Sequence, residues 1–434
     1  MSAISCLKMS LRCVVIIGVL IGGPSFAETI AITNGKVVSM GKNGTQEGAT
    51  VLMRGGKIAE VGHNVAIPDN ARIIDAKNKW VTPGLFNVST TLAAREVGSD
   101  ASARNVGVRK VGFNAAFDIS YGLNPTSTTL AVAAIEGITR AGVKPVSSES
   151  IFAGHGALIQ LNKNQPLVFQ HQAFMQATLG GKATRLGGGA RGGALTLFYH
   201  ALKDALSYRD ASDKNLWRGT ISRLDAEALL PVATGKMRLM IDVNKASDIE
   251  DVLDLVARYK SETGYKLNIA LSGAAEGWLL ADKISALKIP VVTEPWVNMP
   301  KGIDLIAATR HNASRLIAAG VEVSFIFSGS DAYHPRRLSQ SAGNAVAHGT
   351  SWQDAFAAIT INPAKLMGQD EKIGSLESGK VADVVIWDGD PLELLTTAEQ
   401  VFIAGEAISM ETRQTKLRDR YRNLHSERPA QYHH

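Results

Sequence analysis

Cysteine is almost missing from this chain: 434 residues contain two, Cys6 and Cys13, and both precede an apolar run near the N-terminus. A product trimmed after that run has no thiol, which excludes a disulfide scaffold and thiolate chemistry. Aromatic residues are scarce at 6% while glycine is plentiful at 41 residues. That composition argues against an aromatic binding platform and for turns and close helix–strand packing. Long hydrophobic runs are lacking too, and the mean hydropathy of +0.02 excludes a multi-span membrane protein. Charge is only mildly one-sided at +6, and the basic residues are not interleaved with aromatics, so there is no nucleic-acid footprint. Disorder as the dominant state is excluded by 45% hydrophobic against 20% charged residues.

The N-terminus carries the plainest local signal. Lys8 and Arg12 precede Val14 to Ile21, followed by Gly22-Gly23-Pro24 and Ser25-Phe26-Ala27. A basic stretch, a short apolar stretch and a small-x-small site predict a signal peptide cleaved after Ala27. The apolar run is too short to span a bilayer comfortably. The expected product is secreted, in the periplasm, with no membrane attachment after cleavage.

Residues 28–80 read as short strands joined by tight turns, including an Arg54-Gly55-Gly56-Lys57 hairpin. From 81 to 371 strands alternate with helices. Met237–Val243 is a buried strand, and Ser247 with Glu250 has the spacing of a capping box before a helix that Gly264 stops. Further strands are predicted at Leu267–Leu271, Ile289–Thr293 and Val321–Phe327, with helices over Glu276–Leu287 and Ile303–Ala319. Such spacing predicts parallel strands with right-handed crossovers, and four more units have room before residue 237. Strands return over 372–411, and residues 412–434 form a basic tail read as a solvated helix. The fold class is α/β: a (β/α)8 TIM-like barrel inserted in a small β-sandwich built from both chain ends.

Three segments carry a resemblance. Val81-Thr82-Pro83-Gly84-Leu85-Phe86-Asn87 enters a strand, Asn362-Pro363-Ala364-Lys365-Leu366 opens a late helix, and residues 373–391 form a Gly- and Asp-punctuated β segment. Together they resemble the amidohydrolase superfamily, in particular its secreted imidazolonepropionase-like branch. The resemblance covers roughly residues 30–410. It implies hydrolysis of C–N bonds in amides or cyclic amides, assisted by zinc or another divalent metal.

The ligand pattern that the resemblance implies is largely absent. Asn87 stands where the family has Asp, and Ser89 and Thr91 where it has a His-x-His pair. The strand-five histidine falls at Asp242 and the strand-six histidine near Ala275, in Ser272-Gly273-Ala274-Ala275-Glu276. Neutral hydroxyls are poor zinc ligands, so no metal ligand is assigned. Asp331, in Ser328-Gly329-Ser330-Asp331, matches the aspartate that handles the attacking water and is the one catalytic candidate. Pocket candidates are Ser89, Thr91, His155, Asp242, Glu276, His334 and Arg336, expected around one barrel mouth at the strand C-terminal ends. Asp383, Asp388 and Asp390 read as structural. Two functions fit: a hydrolase of non-peptide C–N bonds in a small molecule, or a barrel that has lost catalysis and binds a small molecule or partner. The sequence indicates no oligomeric state.

Overall fold

A computed structural model describes residues 28–96, 103–300, 302–327 and 334–422. Residues 1–27, on which the expected signal peptide falls, and Asp331 lie outside the described residues.

The chain opens with β1 (Ile30–Val38), β2 (Thr45–Arg54), β3 (Lys57–Gly62), β4 (Arg72–Asp75) and β5 (Trp80–Pro83). The β2–β3 hairpin turns at Gly55 and Gly56, whose φ values of 61° and 76° are both left-handed. A two-residue hairpin turn of this kind needs positive φ at both positions. The barrel follows with β6 (Leu85–Thr90), β7 (Ile138–Val143), β8 (Phe152–Gln160), β9 (Val168–Thr178), β10 (Arg238–Val243), β11 (Asn268–Gly273), β12 (Val291–Thr293) and β13 (Val323–Phe325). The C-terminal strands are β14 (Val384–Trp387), β15 (Ala398–Ile403) and β16 (Glu406–Ala407). They join the first five in one sheet of order β16-β15-β14-β5-β1-β2-β3, with β4 beside β1. The two chain ends thus form one layer, as the sequence leads one to expect.

The barrel strands run in the order β13-β12-β11-β10-β9-β8-β7-β6. The helices are α1 (Thr128–Ala134), α2 (Arg191–Asp210), α3 (Arg223–Ala233), α4 (Ala246–Thr263), α5 (Ala281–Ala286), α6 (Asn312–Ala318), α7 (Leu338–Ala347), α8 (Trp352–Ala357), α9 (Ile361–Leu366) and α10 (Arg413–Arg422). One strand departs from the expected parallel pattern: β8 is antiparallel to both β7 and β9. Only residues 144–151 separate β7 from β8, and 161–167 separate β8 from β9. A parallel return needs a crossover of roughly a dozen residues or more, so these short links force reversals. Between β13 and β6 the gap is bridged by the chain after α8. The Phe325 N–H donates to the Ala358 carbonyl and the Phe86 N–H to the Ile359 carbonyl, each at 2.8 Å.

Two other local expectations change. The α4 helix begins at Ala246, ahead of the Ser247–Glu250 capping pattern, and the Ala246 N–H is instead satisfied by the Glu276 carboxylate at 3.0 Å. The helix expected over 303–319 is only a 3-10 turn at Ile303–Leu305 followed by α6. The α10 helix buries no residue, in keeping with a solvated tail.

Pleat alternation divides the barrel into layers. Phe86, Val88, Leu158, Phe174, Met240, Ala270, Val292 and Ile326 pack inside, closed below by Leu366 and Met367. Leu239, Ile241, Val243, Ile269, Leu271 and Phe325 face outward beneath the helices. At the closed end the inward-facing Arg140 of β7 forks onto Asp383, with Nε–Oδ2 at 2.6 Å and Nη2–Oδ1 at 2.9 Å. Its third branch donates to Gln160 at 3.0 Å, and Asp383 also accepts the Ala404 N–H at 2.9 Å. Asp388 accepts from Thr397 and Asp390 from Trp352, so all three aspartates are used within the scaffold.

Two predictions follow from these contacts. Asp383→Ala should lower unfolding free energy by about 3–5 kcal/mol, because it strands a buried guanidinium, and urea titration should recover most of that loss in the Arg140→Met/Asp383→Leu pair. Glu377 offers a pH test: Lys380 at 2.9 Å and the Ser375 hydroxyl at 2.7 Å hold its carboxyl down at about 2. Its contribution is therefore present above the ordinary carboxyl range and lost as pH falls towards 2. Thermal unfolding of Glu377→Gln should show a deficit at pH 7 that closes near pH 2.

Candidate functional site

The open end of the barrel holds a cavity of about 560 Å³. It sits where β7 and β9 to β13 release their chains, the end at which barrels carry their reactive residues. Inward alternation along β7 runs Arg140, Gly142, Lys144, so the strand that carries the closed-end ion pair also delivers a lysine to the mouth. Lys182 enters from the 3-10 turn after β9, Asp242 and Asn244 from the end of β10, and Ser272 from the end of β11. Glu294 and Trp296 follow β12, Phe327 follows β13, and His334 closes the circle.

Charges in this mouth are arranged in opposition. Lys182 Nζ donates to both oxygens of Asp242, at 3.1 and 2.9 Å. Lys144 lines the wall beside them, and its amine is driven below the ordinary lysine range. Loss of hydration is the main cause and the neighbouring Lys182 adds to it, while the Asp242 and Glu294 carboxylates pull the other way. One wall is aromatic: the Trp296 and Phe327 rings lie 6.5 Å apart and the Phe327 and His334 rings 6.0 Å apart.

Of the residues singled out from sequence, Asp242 and His334 line the cavity and Ala275 forms part of its wall. The others are placed elsewhere. Strand β6 turns Phe86 and Val88 inward, which turns Asn87 and Ser89 away. Asn87 donates to the Phe327 and Pro335 carbonyls at 3.4 and 3.5 Å, helping to close the barrel, and the Ser89 hydroxyl is buried with no partner among the described residues. Thr91 begins a turn in which its carbonyl accepts the Ala94 and Arg95 N–H groups. His155 is on the outer face of the reversed strand β8, against Asp118, whose backbone pairs with it. It is 3% exposed, and burial pushes its imidazole pKa down. Glu276 is consumed as a backbone clamp, accepting the Ala246 N–H at 3.0 Å and the Ala307 N–H at 2.8 Å. Arg336 donates to Gln414 of α10 at 3.1 Å, outside the cavity. The expected shared mouth of His155, Asp242 and His334 therefore does not form, because His155, paired with the outward Met175, lies on the outward pleat of β8.

A catalytic zinc takes three protein ligands and an open position. Among the described residues no three His, Cys, Asp or Glu side chains converge, and the Asp242 carboxylate is held by the Lys182 ammonium. The described donor set does not fit such an ion. Sequence reasoning missed Lys144, Lys182 and Glu294. Lys144 had a detectable signal, standing directly after a buried strand and before Pro145, but a single lysine at a strand end is uninformative without the strand's inward phase.

The chain is similar in sequence and fold to known proteins. The amidohydrolase family profile matches residues 237–409. The imidazolonepropionase of Maricaulis maris is 24% identical over 382 residues, covering 81% of this chain and 90% of its own. A dihydroorotase of Anaeromyxobacter dehalogenans is 38% identical over 74 residues, 17% of this chain and 16% of that protein, so that match spans about one sixth of the relative. The crystal structure of an amidohydrolase from Thermotoga maritima superposes with a TM-score of 0.75 at 23% identity, covering 88% of this chain and 99% of that one.

The lysine can be checked directly. In competitive labelling with acetic anhydride across pH 6–11, Lys144 should acylate at lower pH than the exposed Lys416, read by peptide mass spectrometry. Asp242→Asn should shift the Lys144 profile further down, because one of the two carboxylates that favour its charged form is lost.

Proposed function

Since the chain belongs to the amidohydrolase superfamily, we propose that it hydrolyses a non-peptide C–N bond of a small amide or cyclic amide held in the barrel-mouth cavity. The supporting observation is the position of that cavity: ionisable groups from β7, β9, β10 and β12 meet at the strand C-terminal ends, where barrel active sites lie. Lys144 and Lys182 supply positive charge for the substrate's carbonyl or carboxylate oxygens. Trp296 and Phe327 cover a flat or apolar face. Asp331, by its match to the superfamily's post-strand-eight aspartate, would take the proton of the attacking water. A single general base contributes about 10²–10⁴-fold, so turnover with these residues is modest. The expected setting remains the periplasm, after cleavage behind Ala27.

A second reading, binding without turnover, is favoured by the donor set described above, since the rate advantage of lowering a water pKa from about 15.7 to about 7 needs a bound metal. One experiment separates the two. Purified protein beginning at residue 28 is assayed against lactams, dihydropyrimidine-type rings and N-acyl amino acids, with its metal content measured by elemental mass spectrometry. Hydrolysis that falls at least 100-fold in Asp331→Asn supports the hydrolase. Saturable binding with no hydrolysis supports the binding barrel, and absence of both overturns the mouth as a ligand site.

A further inference from the structure

The rim of the mouth is unlike its floor. The segment between β12 and α6 presents Trp296, Met299, Ile303 and Ile306 at 56, 60, 65 and 67% exposure. Four large apolar side chains are thus exposed within one segment, and exposed apolar surface gathered in this way marks a binding surface. Trp296 and Met299, with Leu305, also line the cavity, so the apolar surface runs from outside the barrel down to Phe327. The floor below it carries Lys144, Lys182, Asp242 and Glu294.

This rim is held in place. The Ala307 N–H donates to the Glu276 carboxylate at 2.8 Å and its carbonyl accepts from the Trp278 indole at 2.9 Å. Asp304 is paired with Arg191, which also grips Asp248. Polar anchors on the inner side of the segment thus fix a surface whose outer side is apolar. A surface held in this way binds without first having to be ordered.

We propose that the ligand of this site is an amphiphile, an N-acyl amino acid whose carboxylate and amide sit beside Lys144 and whose acyl chain lies along Phe327, Leu305, Trp296 and Met299 and out over Ile303 and Ile306. This deepens the C–N hydrolase reading and rests on it for the identity of the amide. Charged groups and the apolar side chains of Trp296, Met299 and Leu305 line one cavity, which matches one molecule with a charged head and an apolar tail better than a uniformly polar ring. A carboxylate head group beside Lys144 adds a third negative charge that favours the amine's protonated form, in the same sense as Asp242 and Glu294.

The test is isothermal titration calorimetry of the full mature protein with N-acetyl-, N-butanoyl-, N-hexanoyl- and N-octanoylglycine. Kd should fall about two- to fourfold per added methylene, up to the full apolar transfer value. Lys144→Met should weaken every member of the series by a similar factor and leave the gain per methylene unchanged. The ratio of Kd for the acetyl to the octanoyl ligand should drop at least tenfold in Ile303→Ser/Ile306→Ser, a ratio in which any general loss of binding cancels. N-acetylglycine binding with no chain-length dependence overturns the amphiphile and leaves the amide site standing. Failure of every member to bind overturns both. Cosedimentation with phosphatidylglycerol vesicles that the rim variant abolishes, without chain-length dependence, reassigns the rim to a lipid surface and overturns the proposal.

Discussion

A guanidinium–carboxylate fork sealed beneath the barrel couples the two halves of the molecule. Arg140 comes from the second barrel strand and Asp383 from the segment leading into the C-terminal strands, 243 positions apart. With side chains 7% and 5% exposed, neither charge has water to fall back on, so each depends on the other and on Gln160 and the Ala404 N–H. Such a pair adds little net stability over a well-packed apolar substitute. Its consequence is geometric: it fixes the inward phase of β7. Two pleat periods further on, the same phase brings Lys144 into the mouth.

The mouth repeats the theme in a wetter setting. Two lysines face two carboxylates, and the Lys182–Asp242 pair is partly open to solvent. Lys144 is the less hydrated of the two, and there the cost of desolvation outweighs the pull of Asp242 and Glu294. The result is a polar floor whose buried amine is held below the ordinary lysine range, beneath a rim that Glu276, Trp278 and Arg191 anchor from behind. Glu276 illustrates how a carboxylate near a strand end can be removed from chemistry. Each of its oxygens takes a backbone N–H, one from the start of α4 and one from the rim.

The extent to which the site was legible depended on which layer a residue belongs to. Asp242 and His334 line the cavity, a position legible in sequence because strand C-terminal ends and the loop after the last strand point to the mouth in any barrel. His155 was misplaced because its flanking glycines say nothing of strand direction. The eight-residue link from β7 reverses β8, and the pairing of His155 with the outward Met175 places the imidazole on the outer pleat. Ser89 was misplaced because the phase of β6 is decided by where Phe86 and Val88 find apolar partners from five other strands. Lys144 was overlooked because its significance comes from neighbours supplied by β9, β10 and β12.

By itself the sequence determined the local and the periodic: the Gly-Gly hairpin, the buried strand before α4 and the helix stop at Gly264, the apolar runs of the core, and the β character of both chain ends. These depend on interactions within a few residues, where φ restrictions and burial patterns are already expressed. Tertiary structure decided which face of each strand looked inward, that β8 ran backwards, that Glu276 became a clamp, and that two lysines and two carboxylates met over a cavity. The physical reason is the period of two in a strand: a one-residue change of phase moves every side chain to the opposite layer, and the phase is set by partners distant in the chain.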